Sequence, residues 1–482
     1  MRRTLSPESL HELKARLEQA HKALERRYPG PAAGRQPIHV VYGGAHLFKA
    51  GTTRRLGELA LRSLDEFAGH FAAFAKAVGM PGAAQLPETR NAAAAIAKTI
   101  EFDSEAARRE NPPAWFAHTV YERVREKLHR EPVEDFRIDF EDGYGNRPAD
   151  EEDAHAAAAA GEVAAAMNAG ELPPFIGIRV KPFTEELRER SIRTLDIFLT
   201  ALAEKTRGAL PKGFCITLPK VSLPDEVAAL ADVCSRLEPM LDFEPGALRI
   251  EVMIETPQAI FNERGEVNLL PLVSAARGRC VAAHFGPYDY TASLSIAALQ
   301  QAMTHPAADF ARETMQVALA GTGVRISDGP VNILPIPPHR AKDGQPLSAR
   351  QAEANRETVH AAWKLHYDCV RRALTNGFYQ GWDLHPAQLP TRYAAVYSFF
   401  LKHLDSAAKR LRNFIEKAAQ ATRIGHVFDD AAMAQGLLNY FLQAINCGAL
   451  KADEVETLTT LSADELRSAS FVKILARRTQ SP

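Results

Sequence analysis

The sequence predicts an α/β fold, a (β/α)8 barrel, and three of its features lead there. Short apolar runs recur eight times along the chain, each succeeded by sequence of helical spacing, and eight alternating units are what this barrel needs to close. The run Leu248 to Thr256 is apolar almost throughout, through Ile250, Val252, Met253 and Ile254, as expected of a strand covered on both faces in a parallel sheet. It stops at Glu255, and the next run, Cys280 to Phe285, gives way to Gly286-Pro287-Tyr288-Asp289-Tyr290. Two neighbouring strands thus each deliver one carboxylate at a C-terminal end, the edge where barrel active sites sit. A doubly wound α/β sheet competes for the same alternation, but no Gly-x-Gly-x-x-Gly follows the first strand, which disfavours its dinucleotide-binding form.

Taken in order, residues near 5 to 28 read as a helix started by Ser6-Pro7-Glu8, with Leu10, Leu13, Leu17 and Leu24 at helical spacing. With the Gly/Pro-rich stretch Pro29 to Pro37 behind it, this gives an N-terminal arm and linker over residues 1–36. Ile38 to Tyr42 is the first strand, ended by Gly43-Gly44, and Thr53 to Val78 follows as a helical stretch with an apolar stripe from Leu56 to Phe74. From Met80 to about Arg130 the periodicity is helical and strandless, cut by Pro81, Pro87 and Asn111-Pro112-Pro113, and reads as an insertion at about 80–130. Strands then fall at Phe136 to Phe140, Phe175 to Val180, Phe214 to Lys220, the Glu255 and Asp289 runs, Val324 to Asp328 and Gly377 to Trp382. The barrel accordingly spans 37–400, with a longer loop at Pro330 to Leu347, and residues 401–482 form a C-terminal helical region, including Ala407 to Ala421, Ala431 to Ile445 and a last pair near 452 to 478.

Bulk properties narrow the class. At 482 residues, with 46% hydrophobic and 24% charged residues, the chain has the composition of a soluble globular protein. A formal net charge of −1 removes any global electrostatic case for nucleic acid or an anionic membrane as partner. No apolar stretch approaches the roughly twenty residues needed to span a bilayer, and the opening Met-Arg-Arg-Thr-Leu-Ser-Pro has no apolar signal core, so a cytoplasmic location is expected. Five scattered cysteines argue against a disulfide framework, and sixteen histidines without His-Glu-x-x-His spacing argue against a zinc hydrolase.

In such a barrel the C-terminal strand ends present Glu141, Asp142, Arg179, Lys220, Glu255, Asp289 and His385 to one pocket. Converging carboxylates repel one another unless neutralised, and a hard cation such as Mg²⁺ is the simplest remedy, because it takes one or two protein carboxylates and leaves room for water and substrate oxygens. A 2-oxo acid fits this inventory: Arg179 grips its carboxylate, and the metal stabilises an enolate formed as a carbon-carbon bond breaks or forms. Glu255 or Asp289 singly reads as a salt-bridged strand-end acid, whereas the pair reads as metal ligands. Arg179 divides evenly between substrate clamp and partner of a structural acid, Lys220 between site and structural roles, and His385 between function and capping the next helix. Asp139 shares a face with Glu141 by alternation, and which acid meets metal-bound water stays open. His284 reads as a packed support rather than a ligand.

At these residues the chain resembles the citrate lyase β-subunit-like branch of the HpcH/HpaI aldolase/citrate lyase superfamily, a phosphoenolpyruvate/pyruvate-type barrel. Asp139-Phe140-Glu141-Asp142 is similar to that family's Asp-Leu-Glu-Asp loop, Ile178-Arg179-Val180 to its Arg-Val-Asn strand, and Leu218-Pro219-Lys220-Val221 to its Pro-Lys motif. Ile254-Glu255-Thr256, Gly286 to Asp289, and His385-Pro386-Ala387-Gln388 match its Ile-Glu-Thr, Gly-x-x-Asp and His-Pro-x-Gln motifs in the same order. The resemblance covers roughly residues 38 to 400. It implies Mg²⁺ (or Mn²⁺) on Glu255 and Asp289, Arg179 on the substrate, reversible aldol or Claisen-type cleavage, and a homo-oligomer. Malate synthases share the barrel, and Phe285 to Tyr290 is similar to their Gly-Arg-Trp-Asp-Tyr stretch. Lys181 stands where the family has Asn, and Trp382-Asp383 precede His385 where smaller or basic residues are usual.

The expected function is therefore a Mg²⁺-dependent carbon-carbon lyase or aldolase acting on a 2-oxo acid or a β-hydroxyacyl thioester, with Glu141 and Asp142 ordering metal-bound water. A malate-synthase-like condensation of an acyl-CoA is the enzymatic alternative, coenzyme A thioesters being possible substrates. A non-catalytic barrel serving as a subunit or binding module is the alternative of another class, and an acid cluster that costs stability counts against it.

Overall fold

A computed structural model of the protein describes residues 10–30, 34–341, 345–416, 422–424, 427–429, 431–467 and 474. Eight strands, β1 (His39–Gly44), β2 (Asp135–Asp139), β3 (Phe175–Arg179), β4 (Cys215–Leu218), β5 (Arg249–Ile254), β6 (Cys280–Phe285), β7 (Arg325–Pro330) and β8 (Gln380–Asp383), form a closed barrel in sequence order. Every pairing is parallel, and β8 returns to β1 with Val41 opposite Asp383. The expected (β/α)8 barrel is therefore the fold.

Helices surround the barrel, and the stretch read as helical from Thr53 to Val78 is two of them, Thr52–Ala68 and Phe71–Val78. Pro112–Arg130 begins as its residues dictate, with Asn111 Oδ1 accepting from the Ala114 N–H at 3.3 Å and proline at the first helical position. It packs on Thr52–Ala68 and Leu389–Lys402, so the last part of the helical stretch before β2 lies in the outer ring. The helix His11–Arg27 buries none of its residues, while its expected start at Ser6-Pro7-Glu8 lies outside the described residues. Beyond the barrel come Leu404–Glu416, Ala431–Asn446, Ala452–Thr459 and Ala463–Arg467; most of residues 468–478 lies outside the description. Between the helical stretches read at Ala407 to Ala421 and Ala431 to Ile445, Thr422–Ile424 and Val427–Asp429 pair as a short antiparallel hairpin. Thr422, Ile424, Val427 and Phe428 are β-branched or aromatic, which suits strands better than a helix. No helix among the described residues is long and apolar enough to cross a membrane.

The barrel interior departs from an all-apolar packed core. Arg137 of β2 reaches across to Thr217 of β4 (3.0 Å) and to Glu251 of β5 (2.8 Å), and also pairs with Asp135. Glu251 in turn takes Thr217 Oγ1 (2.7 Å) and His284 Nε2 of β6 (2.9 Å), and Tyr42 of β1 meets His284 Nδ1 at 3.3 Å. Contacts between non-adjacent strands of a closed barrel run through its interior, so these side chains fill the inner face. The run 248–256 is thus not uniformly apolar in space: Glu251, Met253 and Glu255 share the inner face at period two. Burial pushes Asp135 upward, whereas Arg137 and His284 outweigh burial at Glu251 and hold it far below the carboxylate range. His284 is a packed support of this network, as read from the sequence.

A second buried network lies between β8 and the helical ring. Asp383 accepts from Arg392 (2.8 Å) and His366 (3.0 Å) and lies 3.0 Å from His39. Burial works against its charge, but Arg392, His366 and His39 keep it well below its ordinary range. Asp383→Asn leaves Arg392 buried without its carboxylate, so the urea midpoint should fall by the equivalent of about 3–5 kcal/mol with an unchanged slope, as read by circular dichroism.

Candidate active site at the barrel mouth

Asp139 ends β2 and organises the loop beyond it. Its Oδ1 accepts from the Glu141 N–H at 3.0 Å and its Oδ2 from the Gly143 N–H at 2.7 Å, folding Phe140 to Gly143 into a tight turn. A Cβ on Gly143 would come within 2.7 Å of Asp139 Oδ2, so glycine is what permits that approach. The same two oxygens receive Arg179 Nε (2.7 Å) and Nη2 (2.6 Å) from the end of β3. Arg179 is buried, 4.7 Å from the Tyr42 ring centroid and 5.5 Å from that of Trp382, and its remaining edge, Nη1, faces Glu141 Oε2 at 2.9 Å and Asp142 Oδ2 at 3.5 Å.

Lys220 lies just past β4 in the left-handed region, with φ 52°, a conformation that costs energy for a residue with a Cβ and that recurs at functional sites. Its backbone N–H donates to Glu255 Oε1 at 2.6 Å, while its ammonium contacts Glu141 and lies 3.5 Å from Asp142 and 3.6 Å from Asp289. Glu255 continues from β5 into the barrel mouth and is buried, and Asp289, in the first turn of the helix Pro287–Ser293, is 44% exposed. Gly286 makes room for Glu255, since a Cβ there would stand 2.3 Å from its Oε2.

The electrostatics result from this crowding. Burial pushes the Glu255 carboxyl up to about 8; Lys220 opposes the shift, and Asp289 and Glu141 add to it. Glu141 is raised as well, chiefly by burial. At Asp142, which is 58% exposed, burial is outweighed by Arg179, Glu141 and Lys220, and the carboxyl sits low. Burial alone would lower Lys220, yet Glu255 and Glu141 hold its ammonium above its usual range. Five carboxylates, counting Asp139, thus share two cations, a balance that favours an added positive charge.

The structure therefore brings Glu141, Asp142, Arg179, Lys220, Glu255 and Asp289 together. His385 is placed otherwise: its Nδ1 accepts from the Ala387 N–H at 3.2 Å, capping the turn after β8, and it lines a largely apolar cavity of about 190 Å³ with Tyr42, Leu47 and Leu384. Lys181 is committed to Glu152 (2.8 Å) and the Phe140 carbonyl (2.7 Å), where it braces the acidic loop. Trp382 turns inward over Arg179 while Asp383 turns outward to the helices. The rings of Tyr42 and Trp382 and the partnership of Asp139 with Arg179 were not evident from the motifs; period-two reading of Asp135-Arg137-Asp139 and of Glu251-Met253-Glu255 is the signal that finds the inner face.

No group of three or more His, Cys, Asp or Glu side chains placed to hold a metal occurs among the described residues. Mg²⁺ requires fewer, one or two carboxylates completed by water and substrate oxygens. Glu255 and Asp289, close enough that Asp289 helps to raise Glu255, fit that requirement.

Fold and site define a (β/α)8 barrel with a cluster of acids, one arginine and one lysine at its C-terminal mouth. The chain belongs to the family described as a domain of unknown function (DUF6986), whose model matches residues 17–474. No curated protein matches its sequence. Among solved structures it is similar to a citrate lyase from Burkholderia xenovorans LB400, with 18% identity and a TM-score of 0.49 over 70% of this chain and 91% of that one. It is also similar to the CitE protein of Mycobacterium tuberculosis in complex with magnesium, acetoacetate and coenzyme A, with 15% identity and a TM-score of 0.43 over 67% and 95% of the two chains. A magnesium/glyoxylate complex of Haloferax volcanii malate synthase shows 16% identity and a TM-score of 0.39 over 70% and 88%.

Glu255 gives the metal-free protein a pH signature. Because its folded-state value stands above the ordinary 4.5, its contribution is fully present below about pH 4.5 and is lost as pH rises through about 8. Lys220→Met removes the opposing charge, so its melting temperature should fall below the wild type's by more at pH 8.5 than at pH 5, as read by calorimetric scans of metal-stripped protein.

Proposed function

We propose that this protein is a Mg²⁺- or Mn²⁺-dependent carbon-carbon lyase or aldolase acting on a 2-oxo acid or a β-hydroxyacyl thioester. The observation that carries the proposal is the gathering of Glu141, Asp142 and Asp289 about the Lys220 ammonium and of Glu255 on its backbone N–H, at the C-terminal barrel mouth. Glu255 and Asp289 hold the metal, which when bound supplies Lewis-acid stabilisation for the enolate charge of such a cleavage or condensation.

The chain's own residues do the rest. Arg179 receives the substrate carboxylate on Nη1, the edge that Asp139 leaves free, and the Tyr42 and Trp382 rings keep the guanidinium plane from turning. Glu141 and Asp142 accept hydrogen bonds from water or a substrate hydroxyl, and Lys220 holds both within reach of the mouth. The Lys220 backbone N–H fixes the Glu255 rotamer, so the carboxylate is aimed before anything binds.

Calorimetric titration of Mg²⁺ into metal-stripped protein should show one site that pyruvate, glyoxylate or oxaloacetate strengthens and that Glu255→Gln and Asp289→Asn each abolish. Absent binding, or binding that both variants retain, contradicts the metal assignment. Arg179→Lys gives up the two-point hold on Asp139 that aims Nη1 and should weaken the 2-oxo acid by about tenfold or more while leaving Mg²⁺ affinity alone. A requirement for a coenzyme A thioester in product formation decides between the two substrate forms.

A further inference from the structure

The chain carries two uncovered apolar faces of opposite charge at their borders. The first is on the N-terminal helix His11–Arg27, none of whose residues is buried. Leu13, Leu17, Ala20 and Leu24 follow one another at helical spacing and so line one side of it. Lys14, Arg16 and Arg27 border that stripe, while Glu12, Glu18 and Glu25 stand farther round the helix, Glu18 being paired with Lys22.

The second face is the outer side of the helix Pro306–Leu319. Phe310 and Val317, two turns apart, are both exposed there, Val317 by 81%. Phe310 stacks on Phe261 with ring centroids 6.0 Å apart, and Phe261 bridges to Val267, both again exposed. Exposed apolar side chains are ordinary when they stand singly, but these four are contiguous, which marks an interaction surface. Glu313 stands between Phe310 and Val317, and the turn from Phe261 to Val267 adds Glu263 and Glu266 against one cation, Arg264.

The arm is anchored beside this patch without covering it. Gly30 N–H donates to the Gly321 carbonyl at 2.9 Å, one turn beyond Val317, and a Cβ on Gly321 would lie 3.7 Å from Tyr28 Cβ. From that anchor the helix buries nothing, and the patch of its own chain stays exposed. A stripe bordered by cations and a patch bordered by acids are complementary, whereas pairing of two arms would set Lys14 and Arg16 against their own kind. A second copy supplies both a matching patch and a matching arm, so a two-fold exchange covers all four faces and closes. A helix of 17 residues is about 25 Å long. Seating two such stripes buries on the order of 1,000 Å² in total, the lower end for a specific interface.

We propose that two copies of this chain exchange their N-terminal helices, the Leu13, Leu17 and Leu24 stripe of each lying on the Phe261, Phe310 and Val317 patch of the other. The contact is independent of the chemistry at the barrel mouth.

The test is sedimentation equilibrium of the full chain beside Leu17→Asp and Val317→Asp. We expect the wild type at an even multiple of the single-chain mass and each variant dissociating toward half of it, with the dissociation constant raised about a hundredfold or more by the buried aspartate. Both positions are exposed in the single chain, so both variants should fold, as circular dichroism will read. An equimolar mixture of the two keeps one sound arm and one sound patch, and should associate more tightly than either variant alone. Arg16→Glu and Glu313→Lys in one chain should likewise associate more tightly than either reversal by itself. A monomeric wild type overturns the proposal, whether or not it binds vesicles of anionic lipid. So does unchanged mass in Val317→Asp, which leaves pairing of arm with arm, or a mixture no tighter than its components.

Discussion

Asp139 holds Arg179 through two hydrogen bonds and, with the same two oxygens, takes the backbone N–H groups of Glu141 and Gly143. One carboxylate thereby fixes both the guanidinium and the loop that carries the next two acids. The pair is buried, and a buried ion pair is weak evidence of stability, because desolvation offsets much of its attraction. Its consequence is geometric: with Nε and Nη2 engaged, Arg179 has one edge left, and that edge faces Glu141 and Asp142. Lys181, tied to Glu152 and to the Phe140 carbonyl, braces the loop from behind.

From that anchor the mouth accumulates negative charge that the chain leaves incompletely neutralised. Lys220 meets three acids with its ammonium and a fourth with its backbone, in a left-handed conformation that strains it. Glu255 responds by binding its proton more tightly. Lower in the barrel, Arg137, Glu251, Thr217 and His284 form a network of mutually partnered groups, so surplus charge is concentrated at the mouth. Such a division, a satisfied interior under an unsatisfied rim, suits a site awaiting a cation and an anionic ligand.

Much of this was legible in the sequence, for reasons that differ by feature. Eight apolar runs alternating with helices leave few topologies, and the barrel closes as that count requires. Glu141, Asp142, Arg179, Lys220, Glu255 and Asp289 were readable as strand-end residues because a closed parallel barrel brings all such ends to one rim. What Arg179 does with each of its edges was not readable, since Asp139 and Glu141 differ only by two positions and only the folded loop shows which one takes the guanidinium. The polar interior was hidden because the partners of Arg137 and Glu251 come from strands distant in sequence. His385 lies in a strand-end motif like the others, and its Nδ1 caps the turn through the Ala387 N–H. The hairpin at 422–429 lies between two helical stretches, and two three-residue strands are too short to show a periodicity of their own.

The most direct measurement is anomalous diffraction from crystals soaked in Mn²⁺, compared with metal-free crystals of the same form. The account requires one manganese peak shared by Glu255 and Asp289, with the Lys220 ammonium withdrawn from Asp289 and Arg179 still held by Asp139. A peak elsewhere, or none with Lys220 unmoved, would contradict the claim that this acid cluster exists to hold a metal.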